Sequence, residues 1–223
     1  MSEKLYKYLP SKYVENVFHK GELLFRNLTY FRQYECEKRG DPLEGYHRDN
    51  PDNDITITNL SKGKKIKGDF SFLNTTDSDI IYVFCMSRNH SPELYKEFNC
   101  NAFIEVTDVT KFLLRVKVKL KRLISLHKTG LLHGAVKYYA ANKPAEFNIK
   151  DPKNLAFAKN EVFKHQDEYR LVFGTKKAFK LIQKIVINNL IDFKSEAMKG
   201  IAKEKRITIG NMSDIANVKY KNT

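Results

Sequence analysis

The stretch "IIYVFCMS", residues 80 to 87, is a near-continuous apolar run in a chain that is otherwise 30% charged. Its β-branched and aromatic content and its polar flanks read as a central strand buried in a sheet. The other apolar segments are short and punctuated. "KLYKYLP" alternates and closes at Pro10 as a first strand. "SKYVENVFHKG" has Ser11 as N-cap, Tyr13, Val14, Val17 and Phe18 at helical spacing, and Gly21 as a stop. "ELLFRNLTYF" returns as a strand, and "SPELYKEF" is a helix with Pro92 in its first turn. "NAFIEVTDV", "LLRVKVKLKRLISL", "GAVKYYA", "YRLVFG", "KIVINNL" and "RITIG" read as strands. "NLAFAKNEVFKHQDE" and "DFKSEAMKGIAKEK" read as helices. Residues 40–69 form a polar insertion loop with one short strand-like piece, "DITITNL". Residues 176–223 form a C-terminal strand-helix-strand extension. With no internal repeat and no linker, the pattern predicts a single α+β domain over 1–223 with a mixed, mostly antiparallel sheet.

The net charge of +14 favours polyanionic partners, nucleic acid or a nucleotide cofactor. Cys36, Cys85 and Cys100 are widely spaced with no CxxC, which argues against a disulfide framework and a cysteine-rich zinc site and suits a reducing cytosol. No apolar run approaches the ~18 residues of a spanning helix, and the N-terminus has no apolar leader segment. A cytoplasmic protein with no membrane partner is expected. There is no HExxH, HxH, Walker or GxSxG motif, so no metal site is expected.

Several residues are candidates for chemistry. In "FKHQDEYRLVFG", Glu168 sits where a helix hands over to a strand, and Arg170 two residues on shares its face. The pair is either a catalytic edge or a surface ion pair. Lys7 and Tyr8 point to opposite faces of the first strand. Arg26 and Arg32 interleave with Tyr30 and Phe31, a composition that can hold a base and phosphates by stacking and forked hydrogen bonds. Ser87 ends the central strand, to line a pocket or to cap the following turn. Arg115, Lys117, Lys119 and Lys121 alternate with Val and Leu and would form one basic face of a strand, either a polyanion footprint or a lysine-protected edge.

The ordered set "LYKYLPSKYVENVFHKGELLFR", "RGDPLEG", "YVFCMS", "NAFIEVTDV" and "FAKNEVFKHQDEYRLVF" resembles a bacterial domain family of uncharacterised activity, marked by an Asp-Pro-x-Glu element and a Lys…Glu-Tyr-Arg segment. The likeness runs to about residue 175, with Gly40, Cys85, Phe163 and Gln166 departing from the family pattern. More distantly, the chain is similar to DarT-like ADP-ribosyltransferases. That resemblance implies NAD as cofactor, with Lys7 or Tyr8 on the first strand, Ser87 at the nicotinamide pocket and Glu168 driving transfer. Arg26 and Arg32 would then hold the phosphates and Arg170 would position Glu168. The expected function is an ADP-ribosyltransferase-like intracellular effector, of toxin or phage-defence type, acting on nucleic acid or protein. Two alternatives stay open. One is a metal-dependent nuclease built on Asp41, Glu44, Glu168 and Lys159. The other is a non-catalytic nucleic-acid-binding module.

Overall fold

A computed structural model describes residues 4–34, 41–49, 55–123, 125–140, 145–148, 150–187 and 199–221. In chain order the described strands are β1 (Leu5–Leu9), β2 (Glu22–Asn27), β3 (Tyr46–Asp49), β4 (Ile55–Thr58), β5 (Lys65–Gly68), β6 (Phe70–Thr75), β7 (Ile81–Ser87), β8 (Ala102–Val106), β9 (Leu132–Ala135), β10 (Lys137–Tyr139), β11 (Ala158–Asn160), β12 (Glu168–Gly174), β13 (Ile182–Ile187), β14 (Glu204–Thr208) and β15 (Ala216–Tyr220). The described α-helices are α1 (Leu28–Tyr34), α2 (Pro92–Glu97), α3 (Val109–Leu120) and α4 (Pro152–Leu155). The fold is a single α+β unit with mostly antiparallel sheets. Among the described strands, β10 and β11 form the parallel pair. No described helix is long and apolar enough to cross a membrane.

The expected central strand is the hub. β7 pairs with β12 along its whole length, Ile81 opposite Gly174 to Ser87 opposite Glu168. β12 in turn carries β9 on its other edge. The second edge of β7 forks. Tyr82 and Val83 pair with Asn27 and Arg26 of β2, whereas Ser87 pairs with Tyr6 of β1. β14 continues the first branch beside β2. β8 and then β15 continue the second beside β1. β1 and β2 are both antiparallel to β7, so they compete for the same edge around Phe84, Cys85 and Met86, and both peel away from it. Lys7 reaches into this gap, where its Nζ donates to the Cys85 carbonyl at 2.8 Å and lies 4.4 Å from the Phe84 ring centroid.

The main sheet is buried on both faces. One face packs Tyr82, Phe84, Met86, Leu171 and Phe173 against Phe112, Val116 and Leu120 of α3. The other packs Ile81, Val83 and Val172 against Leu28 and Phe179. A third cluster holds Tyr8, Leu94, Tyr95 and Phe103. A second sheet orders β13-β6-β3, and β4 with β5 forms a separate two-stranded ribbon.

Several elements differ from the sequence expectation. The segment carrying Arg115, Lys117, Lys119 and Lys121 is helix α3, not a strand. Asp108 caps it by accepting from the Lys111 N–H at 2.8 Å, and Phe112, Val116 and Leu120 recur at helical spacing as its buried face. Val118, which strand alternation would bury with Val116, is 48% exposed. "ELLFRNLTYF" is a strand only to Asn27, where the Asn27 side chain accepts the Tyr30 N–H at 3.0 Å and opens α1. "NLAFAKNEVFKHQDE" breaks into α4, β11 and a 3-10 helix, Glu161–Gln166. The 40–69 region holds β3, β4 and β5. The first half of the expected helix over 192–205 lies outside the described residues, as does Cys36; its second half, from residue 199, is not helical, and its last two residues open β14. β14 and β15 lie at opposite ends of the sheet path, so the C-terminal segment supplies both of its end strands.

Candidate functional site

The turn that presents Glu168 is built by its neighbours. Asp167 sits at φ 40 and ψ 55, a left-handed conformation that Asp tolerates better than most residues. Its carbonyl accepts the Arg88 N–H at 2.8 Å, and its carboxylate accepts Arg88 Nε at 3.0 Å. The Ser87 hydroxyl lies 2.7 Å from the Gln166 carbonyl and 2.9 Å from that of Asn89. The Glu168 N–H donates to the Tyr138 hydroxyl at 2.9 Å, and burial pushes that phenol up to about 12. Glu168 is thereby held at the first position of β12, across from Ser87, with Tyr6 on the far side of Ser87.

Four charged side chains from three segments meet here, all buried. Arg170 Nε donates to Glu168 Oε1 at 2.7 Å, and its Nη2 donates to Glu44 Oε2 at 3.0 Å. Arg170 Nη1 bonds Glu44 Oε1 and also the Ala156 carbonyl at 2.8 Å. Lys159 Nζ donates to Glu168 Oε2 at 2.9 Å and to Gln166 Oε1 at 2.8 Å. Two carboxylates face two cations, so the cluster is neutral while each member is ionised. Asp41 fixes the turn that carries Glu44, accepting the Leu43 N–H and the Asn160 N–H at 2.8 Å each. Arg32 anchors the same turn, donating to the Glu44 carbonyl at 2.7 Å.

The two carboxylates are electrostatically distinct. Burial would push Glu168 up, but Arg170 and Lys159, with the Cys85 thiol hydrogen-bonding to it, hold its carboxyl well below the usual range. Burial outweighs Arg170 at Glu44, whose carboxyl is raised. Burial opposes the charge on Lys159, yet Glu168 and Glu44 together raise it. Burial, with Glu168 nearby, pushes the Cys85 thiol well up.

A cleft of about 560 Å³ opens at the fork between β1 and β2. Lys7, Tyr8, Arg26, Ser87, Glu168 and Arg170 all line it. Glu44, Lys159 and Gln166 complete its floor, and Tyr6, Tyr13 and Phe31 contribute aromatic wall. Tyr8 is fastened from behind, accepting the Ser91 N–H at 3.0 Å and donating to the Ser91 carbonyl at 3.2 Å. The Arg26 guanidinium lies 4.0 Å from the Tyr30 ring centroid. The ionisable lining comprises cationic Lys7, Arg26, Lys159, Arg170 and Arg206 against anionic Glu22, Glu44, Glu168 and Glu204, an excess of one positive charge.

Arg32 does not line the cleft. It is buried under the Glu44 turn, also bonding Thr29 Oγ1 at 3.2 Å, so its expected place on a phosphate is corrected to a structural one. Arg115, Lys117, Lys119 and Lys121 also lie off the cleft, and their single basic face does not exist. Steps of two residues turn about 200° around a helix and scatter the four. Arg115 instead bonds Asp214 at 2.6 Å and the Asn211 carbonyl at 2.7 Å. Glu44 and Glu168 do converge, but on Arg170 and Lys159 rather than on an open point, and both Asp41 oxygens are taken by backbone amides. Among the described residues, no group of three or more His, Cys, Asp and Glu is placed to hold a metal ion.

Sequence reasoning did not find Gln166, Tyr138 or Glu97. Gln166 bridges Lys159 to Glu97, donating from Nε2 to Glu97 Oε1 at 2.6 Å. The signal for Gln166 is its place between Lys159 and Glu168, which acquires meaning only once β11 and β12 are known to be joined by one tight 3-10 turn; Tyr138 of β10 and Glu97 of α2 come from far upstream and carry no local signal. No family model, curated protein or solved structure matches the chain.

Proposed function

We propose that the cleft at the sheet fork binds NAD and that the protein is an ADP-ribosyltransferase-like cytoplasmic effector of toxin or phage-defence type, with nucleic acid or protein as acceptor. One observation carries the reading. Glu168 is held ionised at the floor of a cleft, in one row with Ser87 and Tyr6 across β12, β7 and β1. The cleft lies in the size range of small-molecule sites and combines aromatic wall with a few fixed polar groups.

Each Glu168 oxygen accepts one cationic donor and keeps further acceptor capacity. That capacity would take a ribose hydroxyl and face the positive charge that develops at the anomeric carbon as the bond to nicotinamide breaks. The electron pair of the broken glycosidic bond leaves with neutral nicotinamide, and the acceptor nucleophile, as it bonds to the anomeric carbon, gives its proton to solvent. Arg170 and Lys159 hold the carboxylate in place. Arg26 and Lys7 line the same cleft and would face the phosphate oxygens.

The test incubates the protein with labelled NAD and either DNA or lysate, with NAD binding followed by calorimetry. Label transfer or nicotinamide release is expected, lost in Glu168→Gln. Absence of binding, transfer and turnover in the wild-type protein would end the reading. The second reading, a nucleic-acid-binding module without chemistry, draws on the position of the charge, because the chain carries +14 and the cleft accounts for one unit of it. DNA binding with no NAD turnover, unaffected by Glu168→Ala, favours that reading.

A further inference from the structure

We infer that the β4–β5 ribbon is a DNA-binding arm that enters a groove of duplex DNA. The inference stands apart from the NAD reading, because it concerns a different surface and needs no chemistry. Residues 55–68, "ITITNLSKGKKIKG", contain four lysines and no acidic residue. Among the described residues the two strands pair only with each other, and Lys62, Lys64, Lys65 and Lys67 are all exposed. The register places Thr56 opposite Lys67 and Thr58 opposite Lys65, so two ammonium groups and two hydroxyls share one face. All four are hydrogen-bond donors, and ammonium with hydroxyl is a combination that binds phosphodiester oxygens.

The tip is preformed. Asn59 Oδ1 accepts the N–H groups of Ser61 and Lys62 at 3.1 Å each, and Gly63 takes a φ of 65. This turn holds Leu60 out at 95% exposure. Leu60 is therefore open to pack against the sugar edges of a groove that takes the ribbon. Two antiparallel strands about 4.8 Å apart, with their side chains, fit the B-form major groove, about 12 Å wide. The deep, narrow major groove of A-form RNA excludes them. An anionic bilayer is a poorer match, because Ile55 and Ile57 are already half-buried and leave only Leu60 and Ile66 as open apolar anchors. An isolated two-stranded ribbon is only marginally stable in water, so a groove that clasps it also supplies its missing support.

The experiment measures fluorescence anisotropy of a short labelled DNA duplex against protein, between about 50 and 200 mM salt. It compares the wild type with the quadruple variant K62A/K64A/K65A/K67A, checks folding by circular dichroism, and titrates both proteins with NAD by calorimetry. The quadruple variant is expected to fold, to flatten the log–log salt slope by about 3 to 4, and to bind at least about tenfold more weakly at the lowest salt. The quadruple variant is expected to take NAD as the wild type does, which separates this result from the fate of the NAD reading. Three outcomes overturn the inference: no duplex binding by the wild type, an unchanged slope in the quadruple variant, or equal or tighter binding to double-stranded RNA or to phosphatidylserine-containing vesicles.

Discussion

Arg170 spans Glu44 and Glu168 in a site where all three are buried, so removing it strands two carboxylates at once. Breaking a buried ion pair from one side leaves an uncompensated charge, which costs about 3–5 kcal/mol. Arg170→Leu should destabilise the protein by at least that much in urea unfolding, while Arg88→Ala, which loses a half-exposed pair with Asp167, should cost under about 1 kcal/mol. The same cluster sets a pH window. Glu168 is depressed in the folded state, so its stabilisation is present above its ordinary 4.5 and is lost as pH falls towards its folded value. Lys159 is raised, so its stabilisation is present below 10.5 and is lost as pH rises through its folded value. Glu44 is raised and acts in the opposite sense to Glu168, softening the acid loss. Unfolding midpoints measured from acid to alkaline pH should therefore show a plateau, and Lys159→Met should remove the alkaline fall. A backbone position carries a similar constraint. Gly21 sits at φ +67, and a Cβ there would lie 2.0 Å from the Gly210 carbonyl oxygen. Gly21→Ala should lower the melting temperature by several degrees, because both the conformation and the contact reject a side chain.

Helix α3 shows how a local pattern can point to the wrong element. Its Val and Leu residues alternate with Lys and Arg, which fits a strand, but the same residues contain Phe112, Val116 and Leu120 four apart. The sheet face above them is apolar and needs a cover, and the helix buries that row while turning Leu114 and Val118, which a strand would keep on the same face, out to solvent. Phe112→Ala should cost about 3–5 kcal/mol, and Leu114→Ala, on the exposed side of the same helix, should stay within about 0.5 kcal/mol. Matched chemical denaturation of the two variants checks this. β7 is the opposite case. Its uninterrupted apolar run marks a strand covered on both faces, and that reading needs no knowledge of its neighbours. The segment from Asn154 to Glu168 has the composition of one helix but is not one, because Asn160 and Asp167 act as local stops. Asn160 caps the 3-10 helix by accepting the Val162 N–H at 3.1 Å, and Asp167 ends it in a left-handed turn.

Across the whole molecule, charge is unevenly placed, with a nearly neutral cleft inside a strongly basic chain. Salt should therefore separate the two proposed partners. Between about 50 and 200 mM salt, duplex affinity should fall by about 100-fold if the four arm lysines each neutralise a phosphate, whereas NAD affinity should change by less than about threefold. Titrations of both ligands in the same buffers make the comparison. By itself the sequence determined that the chain is an α+β fold with a buried central strand, because apolar periodicity and turn residues act over a few positions. It also marked Glu168 and Arg170 as partners, since two residues apart on a strand means one face. Only the tertiary structure decided that Glu44, 124 positions upstream of Glu168 in the numbering, would share Arg170 with it, that Arg32 would be a buried brace, and that β1 and β2 would part to open a cleft. Those outcomes depend on which strands compete for one edge of β7 and on where long-range pairing brings charges out of water, and no local stretch of sequence contains that information.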